Sequence, residues 1–491
     1  MNRAQRPVDD QRPPGGEPEA LDAEQTQPPM GNPGPRGRGW LRPWMVLAAG
    51  VVLLVGAGVS VAAPGLFSTG PAGSAPSTAS PDRAAAGAAG SSGAGAGTPR
   101  AGLDAQIAGL QAQLGQDPSS AQNWATLGLD YVQQGKNTIN PMYYPKAEGA
   151  LQRSLSINHV DNYLALAGVA NLRAAEHRFA EALGAAQQAN AIAPANATIY
   201  GALDDAYTQL GRYDEAAQAV QHMLDLQPGT PSLTRAEYVF ELRGQVPAAT
   251  EVLNQALADA SSPADQAFCR YYLGELAFTN GDPAGALMQN TLGLRADPTY
   301  PALLEGKAKA EAALGQVDAA VADYAAVVAN APLPQYVIEA GEYLQSLGRT
   351  GPAQQDYALF DAENRLFEAN GVQLDTDPTL FYADHGDPSR ALAFAQVGIG
   401  IRPFVEMDDA YAWALHVNHR DPEALGWAQQ AGATGMRNAL FSFHKGMIEN
   451  SLGQSAAAQA DLTQALTINP HFNPLQAPIA QATLAGLRTA R

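Results

Sequence analysis

The stretch LGRYDEAAQAV, residues 210–220, reads as the end of one helix, a glycine-centred turn and the alanine-rich start of the next. It returns as LGQVDAAVADY at 314–324 and as LGQSAAAQADL at 452–462. From residue 103 onward apolar residues recur at three- and four-residue spacing, the period of a helix, and no stretch sustains the alternation of a strand. Aligning the glycine turns gives ten units that begin near residues 121, 163, 197, 230, 267, 301, 334, 372, 405 and 439. Most steps are 33 or 34 residues; the first is longer by eight, and those after 230 and 334 by about four. A fixed period in this range predicts a solenoid of stacked helix pairs. One pair cannot bury its apolar stripe alone, but stacked neighbours can.

Two kinds of small residue carry the pattern. Gly128, Ala170, Gly274, Ala308, Gly341, Ala412 and Gly446 fall at one slot, where they let paired helices approach closely. Gly211, Gly281, Gly315 and Gly453 fall at the turn, where a left-handed backbone ends a helix. Asp or Pro follows, as in NGDPAGAL (280–287) and HGDPSRAL (385–392), and starts the next helix. The chain breaks at NPHFNPLQAP (469–478), and 479–487 is expected to form a closing helix.

These units resemble the tetratricopeptide repeat (TPR) family. Its signature is a large residue, Leu-Gly, an aromatic, an Ala, a second aromatic and a closing Pro. The first unit has Trp124, Leu127, Gly128 and Tyr131; the third has Tyr200, Leu203, Tyr207, Ala216 and Pro228. The fifth has Leu273, Gly274, Ala286 and Pro298, and the last has Gly446, Ala458, Leu462, Ala465 and Pro470. The fourth lacks the closing Pro, and the ninth has AGATGM (431–436) at its helix exit. The resemblance implies an all-α superhelix whose first helices line a concave groove where peptides bind.

Counting from the large slot, positions one, five and eight share a helix face and are expected to look into that groove. They include Asp205, Tyr238, Tyr271, Glu275, Phe278, Glu305, Glu342, Asp409 and Trp413, with Lys309 the one basic residue. The count also reaches Glu241, Ile338, His416, Phe443 and Met447. The basic clamp by which some TPR domains hold a carboxylate is missing, so an acidic groove with aromatic residues suits a basic or amphipathic protein or peptide. Such residues lie outside the packing slots, so their replacement is expected to leave folding unchanged.

Charge separates the chain into parts. The net charge is −19; residues 1–43 hold six Arg and six acids, and 64–101 carry a net of +1, leaving −20 on 102–491. So acidic a domain repels phosphate, which argues against a nucleic-acid partner. Residues 1–38 are Pro- and Gly-rich and read as a disordered cytoplasmic tail. WMVLAAGVVLLVGAGVSVAA (44–63) has no charge and no proline, and its twenty residues span about 30 Å as a helix. A transmembrane signal-anchor over 39–64 is expected, with a cleavable signal peptide as the rival reading. Arg36, Arg38 and Arg42 precede it, which places the N-terminus inside and the remainder outside the plasma membrane. Residues 65–102, rich in Ala, Gly, Ser and Pro, read as a flexible linker, and 103–491 as the superhelical domain with its C-terminal capping helix.

Catalytic signatures are missing: there is no phosphate-cradling loop, HExxH or nucleophile elbow. One cysteine, Cys269, supports neither a disulfide nor a thiolate metal site and reads as a core residue. His416 and His419, three apart, are read as surface histidines rather than metal ligands, and Asp204 and Asp205 as a solvated pair. The long first-unit loop GKNTINPMYYPK (135–146) is expected to expose Tyr143 and Tyr144 to a partner. No catalytic group, cofactor or metal is expected, and the oligomeric state is left open. The expected function is a non-catalytic scaffold that recruits or organises a protein at the outer face of the plasma membrane. The alternative is an assembly factor similar to the membrane-anchored TPR proteins of cytochrome c maturation, or a metal-handling accessory.

Overall fold

The computed structural model describes residues 99–138 and 140–489. The tail, the apolar segment 44–63 and most of the linker lie outside the described residues. Among those described, no helix is long and apolar enough to cross a membrane. They form 22 α-helices, one 3-10 turn and no strand.

Ten antiparallel helix pairs follow one another. An opening helix, α1 (Pro99–Gln116), covers the first with Ile107 and Leu114. The first four pairs are α2 (Ala121–Thr138) with α3 (Tyr144–Ile157), α4 (Tyr163–Ala175) with α5 (Phe179–Ile192), α6 (Ala197–Gln209) with α7 (Tyr213–Leu226), and α8 (Thr230–Leu242) with α9 (Val246–Asp259). Next come α10 (Pro263–Thr279) with α11 (Pro283–Ala296), α12 (Pro301–Ala313) with α13 (Val317–Asn330), and α14 (Pro334–Ser346) with α15 (Thr350–Ala369). The last three are α16 (Thr376–Asp384) with α17 (Pro388–Ile401), α18 (Val405–Val417) with α19 (Asp421–Ala431), and α20 (Ala439–Ser451) with α21 (Ser455–Ile468). A closing helix, α22 (Gln476–Thr489), ends the stack, a little longer than the expected 479–487.

The small slot works as expected. A methyl group at Gly128 would lie 2.5 Å from Leu151 Cγ, and one at Gly341 2.5 Å from a Tyr357 ring carbon, so only glycine admits these partners. At the turns, the same bond recurs from unit to unit: Arg212 N–H donates to Tyr207 O, Asp282 N–H to Ala277 O, and Gln454 N–H to Glu449 O. This is the Schellman arrangement, which needs a left-handed residue in its centre. Asp282 and Asp387 then cap the following helices through Gly285 N and Arg390 N.

The stack is closed, not an open groove. The turns of the second to fifth units dock on the segments that enter the units six places later. Gln373 N–H donates to Glu176 O, and Val405 N–H to Tyr213 Oη at 2.8 Å. Asn469 Nδ2 donates to Phe278 O at 2.8 Å. Turn glycines face backbone at this seam: a methyl group on Gly211, Gly244 or Gly281 would sit 2.4, 2.4 or 2.5 Å from the carbonyl oxygen of Pro403, Gly435 or Ile468. Gly315 and Gly453, away from the seam, face open space.

Long steps in the repeat help to seal it. The extra length after residue 334 lies in α15, whose far end carries Phe367 against Tyr144, Leu172 and Ala175 of the first two units. The first-unit insertion is spent on a longer α2 and the 3-10 turn Pro141–Tyr143. Here the expectation of exposed tyrosines fails. Tyr144 is buried against Gly135, and Tyr143 is half-buried beside Tyr131.

Turn substitutions separate the two roles of glycine. Gly315→Ala is expected to cost about 1–3 kcal/mol from left-handed strain alone. Gly211→Ala and Gly281→Ala add a clash with a carbonyl, so we expect a further loss of about 1–3 kcal/mol and a larger radius of gyration in small-angle scattering. Equal losses and unchanged dimensions at the three positions would show that the seam carries no load.

Candidate functional site

Closing the solenoid turns the expected groove into an internal axis. A cavity of about 630 Å³ lies there, walled by first helices α8, α10, α12, α14, α16, α18 and α20, with the 469–478 connection along one side. Eight carboxylates line it: Glu237, Glu241, Glu275, Glu339, Glu342, Asp377, Asp384 and Glu406. Against them stand Lys309, Arg437 and the imidazoles of His444 and His471. Tyr271, Tyr272, Tyr336, Phe381 and Phe472 supply aromatic walls. Arg437, His471 and Pro474 are solvent-exposed and mark its rim.

Of the nine groove residues expected from spacing, Tyr271, Glu275, Phe278 and Glu342 line this cavity. The others are placed differently. Glu305 is fully buried behind Lys309, whose Nζ lies 3.1 Å from its Oε1 and bonds Glu275 at 2.9 Å. Tyr238 is buried and donates to Glu406 Oε1 at 2.8 Å, across the axis from α8 to α18. Asp409 pairs with His444 Nδ1 at 2.8 Å. Trp413 stacks on that imidazole and donates to Asp384 Oδ1 at 2.7 Å. Asp205 holds Arg235 Nη2 at 2.8 Å. The expectation that all these positions could change without affecting the fold is therefore corrected: most are structural contacts of a closed interior. Asp204, expected in solvent, is fully buried and stands 3.5 Å from Arg235 Nε.

The remaining candidates resolve plainly. His419 is exposed and takes the left-handed turn position with φ 59°, while His416 Nδ1 pairs with Asp421. Among the described residues no group of three His, Cys, Asp or Glu side chains is placed to hold a metal ion. Cys269 is buried, and burial first, then Asp265, pushes its thiol up to about 12.

Sequence reasoning missed a buried charged knot at the seam. Arg402 is fully buried, with its guanidinium 3.9 Å from the Phe404 ring centroid and 5.3 Å from that of Phe179. It bonds Asp375 through Nη1 at 2.9 and 3.1 Å, and Nε donates to Gln209. His177 occupies a glycine position, φ 59°, and its Nδ1 lies 3.3 Å from Asp375 Oδ2. A histidine accepted at a left-handed turn is the one local sign of this contact in the sequence.

Burial sets the protonation of the interior. It raises Glu241 and Glu406 to about 7 and Asp384 to about 6, and holds Glu237 and Asp377 well above the ordinary range. Burial first, and then the neighbouring Glu241 carboxylate, push Glu237 up. Burial would raise Asp375 too, but Arg402 and then His177 outweigh it and hold this carboxyl far below the usual range.

Two tetratricopeptide repeat family models match the chain, one over residues 173–236 and one over 441–472. The chain is a TPR protein. No curated protein sequence matches it. Among solved structures, it is similar to a TPR protein from Parabacteroides merdae ATCC 43184, with 16% identity and a TM-score of 0.31, over 53% of this chain and 98% of that one. It is also similar to yeast Tom70, with 13% identity and a TM-score of 0.37, over 78% of this chain and 97% of that one. The Cut9–Hcn1 hetero-tetramer of APC/C matches with 13% identity and a TM-score of 0.38, over 78% of this chain and 81% of that one. As a TPR fold it has the architecture of a protein-interaction scaffold.

The acidic axis gives this TPR protein an unusual pH dependence. Glu241, Glu406 and Asp384 ionise near 6–7 in the folded chain and near 4 unfolded, so the folded state binds more protons between these values. Stability is then highest on the acid side and falls as pH rises toward about 7. Asp375, depressed, works the other way, but its contribution is lost only in strong acid. Calorimetry should show Tm falling from about pH 5.5 to about pH 8, with a flatter profile in Glu406→Gln. A Tm that climbs over this range would contradict the assignment.

Proposed function

We propose that the protein is a non-catalytic interaction scaffold that holds a basic or amphipathic segment of a partner protein at the acidic axis of its superhelix. The observation that carries this is the cavity lining, where eight carboxylates face four basic groups between aromatic walls. Electrostatic complementarity of this kind steers a cationic segment and rejects an anionic one. A volume of about 630 Å³ lies in the range of pockets that enclose a compact ligand, about 300–1,000 Å³. It suits side chains from an extended stretch entering at the rim better than a whole amphipathic helix.

The location belongs to the same proposal. The apolar run 44–63, with Arg36, Arg38 and Arg42 before it, would anchor the chain in the plasma membrane and hold the superhelix at its outer face. The Ala/Gly/Ser/Pro stretch after it would act as a tether with a reach on the order of 30 Å.

Site-specific photocrosslinking in living cells tests the reading. A photoreactive residue at Arg437, on the cavity rim, is expected to trap a discrete protein partner. The same group at Met288, exposed on the outer helix α11, is expected to trap little. Rising salt should weaken capture, because it screens the long-range attraction that steers a cationic segment toward the acidic axis. Capture from Met288 but not from Arg437 would move the partner to the outer surface. An extracytoplasmic reporter fused after residue 101 is expected to be active, and activity of a cytoplasmic reporter alone would overturn the orientation.

A further inference from the structure

The cavity holds two carboxylate clusters, and the chain neutralises only one of them. In the first, Glu275, Glu305 and Glu339 surround Lys309, whose ammonium bonds Glu275 at 2.9 Å and lies 5.2 Å from the Phe278 ring centroid. In the second, Glu237 and Glu241 stand one turn apart on α8, and Glu406, on α18, acts electrostatically on Glu241. Tyr238 fixes Glu406 through Oε1. The other oxygen, Glu406 Oε2, is buried without a hydrogen-bond partner, and so is Glu237 Oε2; both residues line the cavity. Among the described residues no Lys, Arg or His forms an ion pair with these three carboxyl groups, and Arg402 is engaged by Asp375 and Gln209 at the seam.

We infer that the Glu237–Glu241–Glu406 corner is a subsite for the guanidinium group of an arginine side chain, which does there what Lys309 does in the neighbouring cluster. A buried polar oxygen without a partner costs about 1–3 kcal/mol, so these cavity-wall oxygens favour a ligand that carries several N–H donors. A guanidinium is planar, carries five N–H donors in a fixed fork and stacks on aromatic faces. An ammonium is a point donor without that flat face. Tyr271 and Tyr272, with ring centroids 5.0 Å apart, stand on the next first helix, α10, and line the same cavity.

Charge coupling gives the subsite a signature that mere packing lacks. The groups facing Glu406 are Tyr238 and Tyr213 from the early units, with Arg402 and Asp409 near it in sequence; those facing Glu241 are Glu237, Glu275 and Glu406. Arg402, held by Asp375 and Gln209, lowers Glu406 by less than burial raises it, so a guanidinium at the corner favours the ionised carboxylates and expels their protons. Binding is therefore expected to release protons and to tighten as pH rises through about 7.

This inference rests on the proposed cationic partner but is tested without it. The full-length chain is titrated with Nα-acetyl-arginine amide by calorimetry in buffers of different ionisation enthalpy, with the citrulline and lysine analogues alongside. The arginine probe is expected to bind with proton release and the neutral citrulline probe not to bind. Lysine is expected to bind more weakly. Glu406→Gln and Glu237→Gln should each weaken the arginine probe about tenfold, or 1.4 kcal/mol, while Glu449→Gln, on the far side of α20, should not. Retained thermal unfolding in the Gln variants shows that loss of binding is not loss of fold. Equal binding of citrulline, or unchanged arginine affinity in Glu406→Gln, would overturn the subsite; lysine binding as tightly as arginine would overturn its guanidinium character. Probe binding without any crosslinked partner would leave the subsite standing and remove the scaffold, whereas a partner captured equally by Glu406→Gln would do the reverse.

Discussion

The guanidinium of Arg402 lies 193 positions from Gln209 in the chain and in hydrogen-bond contact with it in space. It is enclosed by Phe179, Phe404 and the Asp375 carboxylate, with no exposed surface. Removing one partner of a buried ion pair typically costs about 3–5 kcal/mol, a large part of the roughly 5–15 kcal/mol that holds a domain folded. The closed form of the superhelix depends on such contacts. Once the early turns meet the late segments, the first helices face a confined axis instead of open solvent, and many of their polar residues satisfy one another across it.

That requirement explains the character of the interior. Tyr238 reaches Glu406, Trp413 reaches Asp384, Asn473 reaches Glu342, and Gln476 closes over Asp384. All but the Trp413 bond run between units far apart in sequence, and they take the place of the hydrogen bonds an open concave face would make to water. Where the replacement is incomplete, carboxyl oxygens remain without partners and their groups hold protons near neutrality. The outward-facing lysines show the contrast. Lys307 between Glu311 and Asp323, and Lys445 between Glu449 and Asp461, repeat one arrangement in the sixth and tenth units.

Local features were legible in the sequence because they recur. The period, the small slot at Gly128 and Gly341, the turn at Gly211 and the aspartate caps at Asp282 and Asp387 each depend on residues within one or two units, and repetition makes them visible. Tyr271, Glu275, Phe278 and Glu342, which line the cavity, could be placed on the inner face by helical spacing together with the TPR resemblance. Seam partners were not legible. Arg402 with Gln209, Asn469 with Phe278 and Val405 with Tyr213 each occur once, at separations set by superhelical pitch rather than by any local rule. Spacing gives the face of a helix but not what stands opposite, so Glu305 and Asp409 read as open groove positions when they are buried. The long α15 was visible only as an irregular step, and its contact with the first two units gives that irregularity its reason.

Open solenoids behave as one-dimensional arrays, where stability adds up from nearest neighbours and unit number drifts freely by duplication or loss. The six-unit offset of this seam removes that freedom. Deleting or inserting one internal helix pair would bring the turn at 209–213 opposite the wrong segment, and every later pairing would be displaced with it. The chain is therefore constrained to a fixed count between the second unit and the closing helix, and its halves cannot fray independently. A modular architecture has become an indivisible one, so the fold should unfold in a single concerted transition and its lineage should vary by point substitution, not by gain or loss of whole modules.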